Sequence, residues 1–214
     1  MISAQEALER LREGNRRFVS EDWSMQSMPS QTRRREVATS QDPFAVILGC
    51  SDSRVPAEMV FDQGLGDLFV IRVAGNIVAP SQIGSVEFAV EYFSTRLVVV
   101  LGHTMCGAIE ATLDALARPS DNGSPHLRSI VDRVRPAVEE LLETDLRRDP
   151  RALRHHAGRA NIRASAAHLR HGSQMIEHMI ERQGLRVVGA EYSLETGVVD
   201  FFDDPDISLR SEFR

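Results

Sequence analysis

The chain of 214 residues carries 25 Lys+Arg against 31 Asp+Glu, a formal net charge of -6, and 42% of its residues are hydrophobic. That length holds one domain with a sizeable core and leaves no room for two comfortable ones. The acidic balance argues against nucleic acid and against an anionic membrane surface as partners, and no run nears the ~18 apolar residues of a membrane span.

Residues 1–18 lack the apolar core of a signal peptide, so the expected location is cytoplasmic. Two cysteines cannot build a disulfide framework; in a reducing compartment such residues bind metal, react, or pack as small hydrophobes. Ser3 and Glu6 form a capping box that opens a helix through about Phe18, with Leu8, Leu11 and Phe18 on one face. The polar stretch 20–40 follows, which makes 1–40 a helical arm and linker. The arm packs either across a neighbouring subunit or on its own domain. Arg33, Arg34 and Arg35 read as a solvated run.

Pro43 introduces an apolar strand over 44–50. A short helix over 55–61 has Pro56 in its first turn, and a turn at 64–67 leads to a second strand over 68–73. A helix over 82–93 carries Ile83, Val86, Val90 and Phe93 as a stripe. The third strand, 97–101, delivers His103, and a helix over 108–117 follows. Residues 118–124 are a loop, 125–142 a charged amphipathic helix, and Asp149-Pro150 breaks the chain. Residues 151–183 are helical with an interruption near Gly172, and Ile162, Leu169, Ile176 and Ile180 face the core. A hairpin of 185–192 and 198–202 closes the pattern, and the last ten residues are a polar tail.

Strand and helix alternate as in an α/β fold: a mostly parallel central sheet flanked by helices, with a C-terminal antiparallel hairpin. Residues 1–214 form one domain. Ligands of such sheets sit beyond the carboxyl ends of the strands. Both polar clusters of the chain, Cys50-Ser51-Asp52-Ser53-Arg54 and His103-Thr104-Met105-Cys106-Gly107, fall there.

Cys50, His103 and Cys106 offer two thiolates and an imidazole, a donor set that suits zinc better than magnesium or calcium. Three protein ligands leave a corner for water, whose pKa zinc lowers to about 7. Asp52 stands one residue from Cys50 and one from Arg54. It either accepts a hydrogen bond from the resulting hydroxide, kept ionised by Arg54, or swings onto the metal as fourth ligand.

These stretches resemble the β-class carbonic anhydrases, whose pattern Cys-x-Asp-x-Arg followed by His-x-x-Cys-Gly is met by Cys50, Asp52, Arg54, His103, Cys106 and Gly107. The likeness extends over 49–56, 69–76, 84–107 and 187–201. It implies reversible hydration of carbon dioxide to bicarbonate and a proton by a zinc-bound hydroxide. Cys50, His103 and Cys106 would be zinc ligands and Asp52–Arg54 the catalytic dyad. It also implies a homodimer, often paired into a tetramer.

Gln82 resembles a substrate-contacting position of some members. No proton shuttle is assigned: His155, His156, His168, His171 and His178 crowd a charged helical region and read as solvated surface. One branch of the family binds inhibitory bicarbonate with a Trp, an Arg and a Tyr. Arg72 and Tyr192 stand at matching places but Ile47 replaces the Trp, so no such regulation is expected, and Arg72 reads as partner to a carboxylate. Other functions weighed are a non-catalytic zinc protein of the same fold and a hydrolase of small cumulated substrates such as carbon disulfide. A thiol redox or dinucleotide enzyme is disfavoured, because neither Cys-x-x-Cys nor Gly-x-Gly-x-x-Gly occurs.

Overall fold

Five strands form one sheet in the order β2-β1-β3-β4-β5: β1 (Ala45–Gly49), β2 (Leu68–Arg72), β3 (Leu97–His103), β4 (Arg186–Tyr192) and β5 (Val199–Asp203). β2, β1, β3 and β4 run parallel, and β5 pairs antiparallel with β4. The computed structural model describes residues 2–25, 27, 29–118 and 124–204. Residues 119–123 of the expected loop and the polar tail 205–214 lie outside the described residues.

Strands β1 and β3 are buried throughout because both faces of the sheet are covered. Side chains alternate between the two faces. Ala45, Ile47, Leu97, Val99 and Leu101 pack into one layer with Leu8, Leu11 and Phe61. Val46, Leu48, Val98 and Val100 pack into the other with Val86, Ile162, Leu169 and Ile176. Among the described residues, eight α-helices accompany the strands: α1 (Ala4–Val19), α2 (Gln31–Glu36), α3 (Ala57–Val60), α4 (Pro80–Tyr92), α5 (Gly107–Ala117), α6 (Pro125–Val138), α7 (Pro150–His171) and α8 (Gln174–Gln183).

Helix α1 begins at the expected capping box: the Ser3 hydroxyl accepts from Glu6 N–H, and the Glu6 carboxylate accepts from Ser3 N–H. It packs on its own chain. Buried Asn15 donates to the carbonyls of Val60 and Gly197 and accepts from Val199 N–H at 2.8 Å. Gly14 lies so close to α3 that a Cβ there would stand 1.8 Å from the Phe61 carbonyl oxygen. The linker contains α2, a short helix within the expected polar stretch. Its Arg33 is not merely solvated: it donates to the Leu65 carbonyl and pairs with Asp67 at 3.1 Å.

Helix α6 stops at Val138, earlier than expected, and a 3-10 turn covers Glu139–Glu143. Pro136, which has no N–H and crowds the preceding turn, lies just inside the α-helical part. The Asp149-Pro150 break is itself the start of α7, because the Asp149 carboxylate caps Arg151 and Ala152 N–H while Pro150 takes the first turn. Gly172 separates α7 from α8, as expected.

Register positions the polar clusters. Gly49 at the end of β1 lies beside Leu101 of β3, so Cys50 and His103 leave adjacent parallel strands at the same edge. A third apolar cluster, with Ile77, Ile109, Leu113, Val134, Val138 and Leu153, closes around Cys50 and Cys106.

Candidate metal centre

Cys50, His103 and Cys106 are all buried, at 5%, 3% and 7% exposure. Their donor atoms lie within 4.8 Å of one another. The two sulfurs are 3.9 Å apart, and both cysteines are free thiols. That separation is far beyond a disulfide bond. It matches the edge of a tetrahedron with metal–sulfur bonds near 2.3 Å, which is roughly 3.8 Å.

His103 Nδ1 lies 2.9 Å from the Thr104 carbonyl oxygen. A carbonyl only accepts, so Nδ1 carries the proton and Nε2 is left with its lone pair. That Nε2 is buried with no hydrogen-bond partner. A naked, buried acceptor beside two thiols is what a soft divalent cation satisfies. Among the described residues, no other group of three such donors comes together.

Two backbone features complete the sulfur environment. Gly75, at φ 71° in the turn after β2, donates its N–H to the Cys50 sulfur at 3.3 Å. Its carbonyl is held by Asn161 of α7. Cys106 is the N-cap of α5, where free N–H groups favour a thiolate. The Cys50 thiol is lowered to about 4, first by the Cys106 thiol beside it, against the opposing effect of burial and with further donation from Gly75 N–H. Cys106 is pushed up, first by that same neighbour and then by burial. Two adjacent buried thiolates repel, and a divalent cation removes the conflict.

Asp52 and Arg54 form a twofold pair: Nε donates to Oδ1 at 2.8 Å and Nη2 to Oδ2 at 2.7 Å. Arg54 N–H adds a third bond to Oδ1. These bonds hold the Asp52 carboxyl well below the usual carboxylate range. Asp52 Oδ2 also stands 3.8 Å from His103 Nε2. The same Arg54 Nη2 reaches the Met105 carbonyl at 3.3 Å, joining the two loops.

Other expected residues fall differently. Arg72 faces no carboxylate: its Nε donates to the Cys50 carbonyl at 3.1 Å and its Nη2 to the Asp52 carbonyl at 2.6 Å. The register that sets Arg72 beside Gly49 brings its guanidinium past the end of β1. Gln82 lies in the first turn of α4, where it accepts from the Ser81 hydroxyl. It does not line the cavity that borders His103 and Cys106 in this chain. His155 and His156 are exposed, as expected from the sequence, and also line that cavity of about 690 Å³. Helix α7 packs on β4 and carries them past the site, with His155 Nε2 3.6 Å from buried Glu191. Sequence reasoning missed Gly75 and Asn161 as supports, because neither carries a ligating atom.

Fold and donor set define an α/β protein with three donors that could hold a soft metal at the carboxyl edge of its sheet. The chain belongs to the carbonic anhydrase family, in its β class: the family model described as carbonic anhydrase matches residues 45–199. Carbonic anhydrase 2 of Mycobacterium tuberculosis is 41% identical over 189 residues, 87% of each chain. The carbonic anhydrase of Mycolicibacterium smegmatis is 39% identical over 195 residues, 89% of each chain. Among solved structures, a tetrameric β-carbonic anhydrase of Sordaria macrospora superposes with a TM-score of 0.68 at 25% identity. That match covers 80% of this chain and 87% of the other.

Proposed function

We propose that this chain catalyses the reversible hydration of carbon dioxide to bicarbonate and a proton, with zinc held by Cys50, His103 and Cys106. The convergence of two buried sulfurs and an unpartnered imidazole nitrogen beside the Asp52–Arg54 pair carries the reading. Zinc bound there would bring a water at its remaining corner to a pKa of about 7 and so supply a nucleophile at neutral pH.

The chain's own groups do the rest. Asp52 stays ionised because Arg54 occupies both its oxygens. An ionised carboxylate only accepts, so it takes a hydrogen bond from the attacking water and turns a lone pair toward the electrophile. Arg54 fixes the direction of that carboxylate and is itself tied to Met105. Carbon dioxide is neutral and apolar, and the apolar cluster around the two cysteines, with Ile77, Ile109 and Leu113, suits it better than a charged pocket would. Gln82, outside the cavity of its own chain, would contact substrate only at a site completed by a second copy.

A homodimer, further paired, is part of the same reading. Exposed Phe88 and Tyr92 of α4 stack beside Phe69 on edge strand β2, an aromatic patch of the kind that copies of a chain bury. The Sordaria macrospora relatives are tetrameric. Two free buried thiols suit a reducing cytoplasm.

Stopped-flow carbon dioxide hydration with metal analysis tests the proposal. One zinc per chain with hydration far above background supports it. One zinc with background hydration leaves a non-catalytic zinc protein, and turnover of carbon disulfide instead identifies the related hydrolase.

A further inference from the structure

The last ladder bond between β1 and β2 runs from Val73 N–H to the Gly49 carbonyl at 3.1 Å. Beyond it the chain leaves the sheet with Cys50 and Asp52 still to be placed. The Arg72 side chain continues where the ladder stops. Its Nε takes the next carbonyl, that of Cys50, and its Nη2 takes the carbonyl of Asp52 two residues on. One guanidinium thus fixes the peptide units that follow Cys50 and Asp52. We propose that Arg72 is the positioning residue of the site: its fork holds the loop so that the Cys50 sulfur points at its partner donors and the Asp52 carboxylate at Arg54.

The chemistry requires arginine. A planar fork with donors at fixed spacing meets two carbonyls at once, whereas a lysine ammonium is a single point on a flexible stem. Within the loop, Val55 N–H donates to the Asp52 carbonyl at 3.1 Å and Arg54 pairs with the Asp52 carboxylate. Its other ties are the long bond of Arg54 Nη2 to the Met105 carbonyl at 3.3 Å and the Gly75 N–H on the Cys50 sulfur at 3.3 Å, neither of which holds a backbone carbonyl of the loop. Without Arg72 those bonds leave the carbonyls of Cys50 and Asp52 unanchored, and the loop is free to turn about Gly49. That rotation displaces a metal donor and the dyad carboxylate together. Partners of ligands commonly change metal affinity or activity by about 10- to 100-fold when removed.

The inference rests on the metal reading above, and the wild type alone tests that reading through its zinc content and hydration rate. The Arg72 test is differential. Arg72→Lys and Arg72→Gln are loaded with zinc and with cobalt(II), and three quantities are compared with wild type. These are the rate of metal loss to a chelator, the visible spectrum of the cobalt form, and the KM and kcat of hydration. We expect metal loss to accelerate about tenfold, a shifted cobalt spectrum, and a fall in kcat with KM nearly unchanged, in Arg72→Lys as well as Arg72→Gln. Urea unfolding of the same variants separates a general loss of stability, which would leave the cobalt spectrum of the folded protein as in wild type. An Arg72→Lys protein with wild-type metal retention, cobalt spectrum and kcat overturns the proposal. So does an altered urea midpoint with those three unchanged.

Discussion

The sulfurs of Cys50 and Cys106 lie 3.9 Å apart across 56 residues of sequence. They meet because β1 and β3 are hydrogen-bonded neighbours whose ends coincide. Replacing Cys106 by Ser leaves a weaker oxygen donor at one corner. Zinc affinity is expected to fall by roughly a hundredfold or more, with loss of the rise in Tm that zinc gives the wild type. Metal analysis and thermal melts with and without chelator check both.

Asp52→Asn keeps the shape of the side chain and loses its charge. It should retain zinc while kcat/KM falls by about 10²-fold, measured by stopped-flow hydration. Full activity in this variant would remove Asp52 from the chemistry and leave the metal assignment standing.

Acid sensitivity should trace in part to Asp62, whose carboxylate lies buried below α1. Burial opposes its ionisation, but the Ser27 hydroxyl, the Arg17 guanidinium and Ser24 N–H outweigh burial and hold its pKa below the usual value. A carboxylate so lowered stabilises the fold fully above its unfolded pKa of about 3.9, and that contribution is lost as pH falls through the folded value. Asp62→Asn should therefore be less stable than wild type by about 2 kcal/mol near neutrality. The gap should narrow only below about pH 4. Urea unfolding at a series of pH values measures it.

Asn15→Ala removes the partner of the Val60 carbonyl, the Gly197 carbonyl and Val199 N–H in one step. Three backbone groups, two of them buried and one part-buried, go unsatisfied, and a loss of about 3 kcal/mol is expected. Denaturation of the metal-loaded protein checks it. A loss below 0.5 kcal/mol would show that α1 is not anchored on its own chain in solution.

Bicarbonate should give simple saturation rather than sigmoidal inhibition. Ile47 is completely buried in β1 and offers a hydrocarbon surface with no donor. Arg72 is already engaged with two carbonyls. Initial rates over a bicarbonate series decide the matter.

Most of the sheet could be read from the chain because β1, β2 and β3 are built on uninterrupted apolar runs bounded by Gly, Pro or polar residues. The donor set was equally plain, since Cys50, His103 and Cys106 carry their chemistry in their side chains and follow such runs directly. Less visible were contacts made through the backbone. Arg72 looked like the partner of an acid because arginines commonly are, and only the β1–β2 register shows that carbonyls are what it reaches. His155 and His156 are exposed, as the polar length of α7 suggests; that they also border the cavity follows from the packing of α7 on β4, which the sequence does not display. The short helix α2 escaped notice because it has no buried residue and so no periodic apolar signal.

The parallel register of β1 against β3 makes strand length a ruler for this protein. One residue inserted between Phe44 and Cys50 would turn the strand over, sending Ile47 to the opposite layer and carrying the first sulfur away from the second. The permissible lengths of that segment are thus set in whole pleats, and tolerance of insertions belongs elsewhere, in the connections that end on neither strand.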